Sequence, residues 1–340
     1  MAGGFRIGGS CLHIKEKKKE KKSLAQLWKI ARPTLSLVAS VALLLVVLRG
    51  VDWAVLRASL GLLQWDVLAV ALGLLLLYDF FLCVKCYLLI PELPFWRVYC
   101  MYLNMRFFSL LPGGNMIGEA TRLYSLREMT DMQTAAAIVI MDKQTHMIPL
   151  QTYCMVGLAL ASIRVPLALV ALAVWALAWP LLAPGVLFIP RARAFARRQG
   201  SRLRRWKLGR LVSDQLELLC GLCETLAGRP RQLVAHLAAG LLGEGCSILM
   251  MALLARSLGL PPTLWDWMWI AAIMLQAMMI PLSTLGMGMR EGAMVMLLAL
   301  FGVDKSQAMS LPLIISALTL IKGVAGGAVA AVDRRRRQHQ

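Results

Sequence analysis

The stretch FFSLLPGGNMIGEATRLYSL, residues 107–126, decides the fold. An apolar run enters it, Pro112 and the glycines at 113, 114 and 118 interrupt it, and Glu119 and Arg122 follow the break. Proline and clustered glycines end helices, so the run reads as two short helices joined by a turn rather than one continuous element. The same order recurs in MMIPLSTLGMGMREGAMVMLL, residues 278–298, where Pro281, Gly286 and Gly288 precede Arg290 and Glu291. Both stretches lie in longer apolar segments, 95–128 and 264–301.

The rest of the chain places these segments in a membrane. Of 340 residues, 59% are hydrophobic and only 16% charged, against about 45–50% and about 25% in soluble domains, and mean hydropathy is +0.67. A crossing needs about 20 apolar residues, and six uninterrupted segments meet that need: 33–50, 66–85, 132–162, 165–189, 232–256 and 306–332. The formal charge of +19 is concentrated in residues 15–32, 191–210 and 333–337, which hold 21 basic and three acidic residues between them. Basic clusters beside apolar runs fit the cytoplasmic face of a membrane and not a nucleic-acid surface, so no nucleic-acid partner is expected.

If all three basic blocks face the cytoplasm, the path of the chain follows. The first span starts inside and the second returns inside near Lys85. The pair 132–162 and 165–189 also starts inside, so segment 95–128 begins and ends on the cytoplasmic side. The same reasoning makes 264–301 begin and end outside. The expected architecture is all-α: about six full spans and two re-entrant hairpins of opposite orientation, as in an inverted-repeat transporter. Residues 1–32 form a basic cytoplasmic segment, 33–332 a single membrane domain, and 333–340 a basic cytoplasmic tail. Residues 51–63 suit a short interfacial helix, and 191–230 a basic amphipathic segment on the inner leaflet. Kinked helices in place of the hairpins would change the span number but leave both termini inside.

Ionisable groups inside a bilayer are costly and usually face a partner or a cavity. At a rise of about 1.5 Å per residue, Asp142 and Lys143 lie about 16 Å from the inner end of their helix, Glu244 about 18 Å and Lys322 about 15 Å. All four fall near the middle of a core about 30 Å thick. The hairpin breaks bring Glu119, Arg122, Arg106, Arg290 and Glu291 to the same depth. The second arm of each hairpin starts there, and a helix N-terminus attracts anions. Arginine adds the planar donors that suit phosphate. A purely structural reading stands beside this: acids in a first turn complement the helix dipole, Glu119 and Arg122 are spaced i, i+3, and the remaining charges could pair to hold helices together. Gly323 and Gly327 have the spacing of close helix packing.

Taken together, LLPGGNMIGEATRLYSL, the pair Asp142-Lys143 and PLSTLGMGMREGAMVMLL resemble the flippase-like transmembrane region of lysylphosphatidylglycerol synthases, over about residues 30–332. The resemblance implies a domain that moves an anionic phospholipid, an aminoacyl-phospholipid or a polyprenyl-phosphate-type lipid between leaflets. On that analogy the substrate site comprises Pro112, Gly113, Gly118, Glu119 and Arg122 in the first hairpin and Gly286, Gly288, Arg290 and Glu291 in the second. Asp142 and Lys143 complete it, and Glu244, Lys322 and Arg106 balance charge or couple transport. Two features depart from the family pattern: a slightly longer stretch from Pro112 to Gly118, and Lys143 where an arginine is expected. A chain ending at Gln340 leaves no room for the soluble synthase domain, so aminoacyl transfer is not expected.

The expected partners are an anionic membrane lipid and the bilayer of a bacterial inner membrane, with a second copy of the chain or an envelope-biosynthesis protein as further candidates. The alternative is a membrane enzyme or subunit in lipid-linked glycan or envelope lipid synthesis, with Glu119 or Glu291 as base. No phosphate-binding loop, HExxH or GxSxG motif occurs, so no catalytic residue, cofactor or metal is expected. The pairs Cys83/Cys86 and Cys220/Cys223 have zinc-ligand spacing but stand in apolar helical sequence, where cysteine acts as a small hydrophobe. Metal analysis of the purified protein should return no stoichiometric zinc.

Overall fold

The computed structural model describes Ala54, Ala58, Gly61 and residues 63–110, 114–171, 189–203, 207–279 and 289–338. Among the described residues there is no strand, and ten main helices follow one another. The first half contains α1 (Trp65–Tyr87), α2 (Phe95–Phe108), α3 (Gly114–Arg127) and α4 (Met132–Ala159). Next come α5 (Pro190–Leu203) and α6 (Lys207–Ala227), within the basic segment read as amphipathic. The second half contains α7 (Pro230–Ser257), α8 (Leu264–Met279), α9 (Met289–Ala299) and α10 (Lys305–Gln338). The segments at 33–50 and most of 165–189 lie outside the described residues, as do both hairpin turns.

Local chemistry sets the boundaries. Asp131 caps α4 by accepting from the amides of Gln133 and Thr134, and those bonds hold its carboxyl below the usual carboxylate range. Pro230 opens α7 at a position where no amide donor is required. Gly259 and Gly302 close α7 and α9 with φ of +68° and +73°, a left-handed geometry that a side chain disfavours. Among the described residues, α1, α7 and the Lys305–Ala330 part of α10 are long and apolar enough to cross a membrane. The 28-residue α4 carries Pro149 inside it, along with the charged and amide side chains that interrupt its apolar run. The chain is a membrane protein.

The core is divided in two. One cluster joins Leu82, Cys83 and Cys86 of α1 with Met101 and Met105 of α2, Leu126 of α3, Ile138 and Met141 of α4, and Cys223 of α6. The other joins Ala71 and Leu75 of α1 with Leu150 and Cys154 of α4, Leu254 of α7, Trp267 and Trp269 of α8, Leu298 of α9, and Leu311 and Ile315 of α10. Helices α2 and α3 contribute only to the first, α8 and α9 only to the second. On α1 and α4 both clusters are represented, and Asp79 and Asp142 fall between them. A polar seam therefore runs between two apolar compartments.

Helices α1 and α7 pack antiparallel along their lengths: Gln232 donates to the Leu88 carbonyl, and Gly243 sits against Phe81 and Leu82. The two halves also exchange partners. Helix α2 packs on α10, where Gly323, Gly326 and Gly327 receive Leu110, Leu103 and Phe107. Helix α8 packs on α4, where Gly157 lies against Trp265 and Met268. The glycine spacing read at 323 and 327 is thus a helix contact.

Glycine at 157 is the least replaceable of these, because an added Cβ would meet the Trp265 carbonyl oxygen at 2.7 Å and the Trp269 amide nitrogen at 2.8 Å, both backbone atoms. Gly157→Ala should lower the unfolding midpoint in detergent by an amount corresponding to about 1–3 kcal/mol. Gly221→Ala, where nothing lies within 4 Å, should stay within about 0.5 kcal/mol or gain from helix propensity.

Candidate functional site

Asp142 sits on α4 about 15 Å from the start of the helix, at the seam. Its Oδ1 accepts from Lys85 Nζ at 2.7 Å, and its Oδ2 lies 2.8 Å from an Arg122 Nη. Lys85 Nζ also donates to the Asp142 carbonyl at 2.7 Å. Lys85 and Arg122 are each 1% exposed, so one carboxylate holds two buried cations. The sequence reading used Lys85 to mark the water-facing end of its span; the structure corrects this, because Lys85 turns inward to the carboxylate and α1 continues to Tyr87.

His236 fastens α7 to this arrangement. Its Nδ1 lies 2.9 Å from the Lys85 carbonyl and its Nε2 lies 2.8 Å from Thr145 Oγ1. A carbonyl can only accept, so Nδ1 carries the proton. On the other flank, Glu119 Oε1 lies 2.6 Å from Lys143 Nζ, and Glu119 Oε2 accepts from Arg122 at 3.5 Å. The i, i+3 pair is therefore present but long, and Asp142 is the closer partner of Arg122. Lys143 is 45% exposed and is the open end of the group. Three cations and two carboxylates leave this cluster with one excess positive charge.

A second cluster lies six residues earlier on α1, about 9 Å along the helix. Asp79 pairs with Arg106 of α2 at 2.9 Å and with Lys322 of α10 at 2.6 Å. The Arg106 guanidinium stands over the rings of Tyr78 and Tyr102, 5.5 Å and 5.3 Å from their centroids, within cation–π range. Arg106 Nε is buried without a hydrogen-bond partner. This cluster too holds one more cation than it has carboxylates.

The remaining charged candidates stand apart. Arg290 pairs with Glu291 at 2.9 Å and donates to the Pro312 carbonyl at 3.4 Å and to the Ser316 hydroxyl. Glu244 is 1% exposed on α7, with His146 Nε2 3.5 Å from its Oε1. The structure thus brings Glu119, Arg122, Asp142 and Lys143 together, joins Arg106 to Lys322, and gives Arg122 and Arg290 separate partners. Gly118 packs where a Cβ would strike Ser109 and meet the Met105 carbonyl at 2.8 Å, so glycine there lets α3 approach α2. Pro112, Gly113, Gly286 and Gly288 lie outside the described residues.

Sequence reasoning missed Asp79, Lys85, Thr145 and His236. Asp79 was findable: it stands alone in an apolar run about 21 Å from Trp65, and the depth test applied to Asp142 would have selected it. The partnership of His236 with Lys85 and Thr145 has no local signature, since it joins three helices. Cys83, Cys86, Cys220 and Cys223 are all buried and unbridged, and burial raises the thiol of Cys220 above its usual range. Among the described residues, no group of three or more His, Cys, Asp or Glu side chains could hold a metal ion.

A family model described as the lysylphosphatidylglycerol synthase TM region matches residues 34–327. No curated protein and no solved structure matches the chain.

Removing Asp142 strands two buried cations, so Asp142→Asn should cost about 3–5 kcal/mol of stability. Adding Lys85→Met to that variant should restore part of the loss, because one uncompensated charge leaves with the lysine. Unfolding midpoints of the single and double variants measure the coupling.

Proposed function

Because the chain belongs to the lysylphosphatidylglycerol synthase transmembrane-region family, we propose that it is a lipid translocase carrying a lipid with an anionic headgroup between the leaflets of a bacterial inner membrane. The observation that carries this reading is the charge balance at the seam. Each of the two clusters has one more cation than it has carboxylates, and an anionic headgroup would offset that excess, one charge by a phosphodiester and two by a phosphomonoester. A structural ion-pair network has no need of an excess, since buried charge is tolerated best when balanced.

The lengths of the neighbouring helices are consistent with a headgroup site there. Helices α2 and α3 have 14 residues each and span about 21 Å. Helices α8 and α9, with 16 and 11 residues, span about 24 and 17 Å. All four fall short of the roughly 30 Å hydrocarbon core. Each pair contributes to only one of the two apolar clusters. We read them as re-entrant hairpins entering from opposite faces, with the basic segments and both termini on the cytoplasmic side. The exchange of α2 onto α10 and α8 onto α4 fits an inverted repeat, whose halves would rock to alternate access.

In this mechanism Lys143, Arg122, Arg106 and Lys322 hold the phosphate, while Glu119, Asp142 and Asp79 keep those cations oriented. Arg290 and Glu291 line the second hairpin's approach, and Gly118 holds α3 close to α2. The acyl or prenyl tails remain in the bilayer throughout, which avoids exposing hydrocarbon to water. The reading is transport and not catalysis: the carboxylates of both hairpins, the bases that catalysis would require, are engaged with arginine or lysine.

Proteoliposomes test it with labelled phosphatidylglycerol, an aminoacyl-phosphatidylglycerol, a polyprenyl phosphate and a zwitterionic control. The protein should accelerate transbilayer movement of at least one anionic lipid over the control. Lys143→Gln and Lys322→Gln should each slow that movement about tenfold or more, the worth of one charge-assisted hydrogen bond. A full anionic panel moving no faster than in empty vesicles would overturn the reading.

A further inference from the structure

Among the carboxylates at the seam and beside it, Glu244 differs from the rest. Asp79, Asp142, Glu119 and Glu291 each lie within 3.0 Å of a lysine or arginine nitrogen. Glu244 is as buried as Lys85 and Arg122, yet its Oε1 makes no hydrogen bond. His146 Nε2 lies 3.5 Å from that oxygen. Lys85 of α1 and Arg106 of α2 act on it only at a distance, and each is engaged, by Asp142 and by Asp79. Tyr78 of α1 and Tyr153 of α4 are the other titratable groups in its field, and Tyr153 donates to the Leu241 carbonyl. Lys322 of α10 is held by Asp79.

A lone carboxylate at the centre of a buried helix cannot remain ionised cheaply. It takes up a proton unless a cation arrives. His146 is 15% exposed while Glu244 is 1% exposed, so the imidazole is the less enclosed of the two. Lys85, Lys143 and Arg106 oppose a charge on it and Asp142 favours one, so it passes a proton inward without holding it. We propose that Glu244 is the proton-binding site of the transport cycle, with His146 as its relay, and that one proton travels in the same direction as the anionic headgroup. This rests on the translocase reading above. The relay balances simply: His146 takes a proton from hydronium, leaving water, gives one to a Glu244 carboxylate oxygen, and returns to neutral imidazole.

The coupling has a defined sign. Ionised Glu244 opposes an anion entering the cationic seam, and protonation removes that repulsion. Proton and headgroup therefore favour each other's binding, and the effect is reciprocal. For one proton per lipid, a gradient of about one pH unit biases the lipid distribution between leaflets about tenfold.

Two readouts on the full chain test this. Infrared difference spectra of the reconstituted protein, taken between about pH 5 and about pH 9, should show a titrating carboxyl that Glu244→Gln removes and Glu244→Asp restores. In the proteoliposome assay, an imposed proton gradient should drive the transported lipid in the gradient's direction. Glu244→Gln should respond less than about twofold while keeping the elution profile of the wild type. A titration unchanged in Glu244→Gln, or wild-type movement indifferent to the gradient, would overturn the proton site while leaving the translocase reading intact. The opposite result, an intact Glu244 titration with no lipid moved under any gradient, would remove the translocase reading and leave proton binding by Glu244 standing.

Discussion

A buried charge must find its opposite close at hand, because the bundle offers no water to screen it. That constraint organises this molecule around Asp142. One carboxylate collects Lys85 from α1 and Arg122 from α3, and His236 brings α7 onto the same lysine's backbone. Four helices thus meet at a point where displacing α1, α3 or α4 would strand an ion and displacing α7 would break two hydrogen bonds. The apolar surfaces alone would tolerate sliding, since hydrophobic packing is non-directional. The ion pairs and their hydrogen bonds set the register.

The polar layer also divides the core. Above and below it the contacts are between apolar side chains and closely approached glycines, which favour rigid helix pairs. Within it lie Tyr78, Tyr102 and the two cationic clusters, where an arriving anion meets charge already oriented. Preorganisation of this kind lowers the cost of binding, because the donors need not be gathered from flexible positions. Helices α1 and α7, joined along their length by Gln232, His236 and Gly243, form the post against which the shorter helices stand.

Much of this was legible in the residues. The apolar runs located the long helices, and Pro with Gly located the breaks after Phe108 and before Met289. Counting depth along the helix selected Asp142, Glu244 and Lys322, because burial in hydrocarbon makes any ionisable group conspicuous. What could not be read was pairing. Arg122 is spaced for Glu119, yet it sits closer to Asp142, since tertiary approach of α3 to α4 outweighs the local i, i+3 geometry. Lys85 had the position of a boundary residue, and only the proximity of α4 shows that it faces inward. Asp79 was visible by the same depth rule and was passed over because its span looked uniformly apolar.

The crossed packing of the two halves has a consequence for assembly. Helix α2 emerges from the ribosome well before the glycine groove that receives Leu103, Phe107 and Leu110, which belongs to α10, the last of the described helices. Until Gly327 has been synthesised, Leu103, Phe107 and Leu110 lack the groove that receives them. A nascent chain must therefore hold α2 without its groove while the intervening helices are made, and a chain stopped shortly before that glycine could not close this contact.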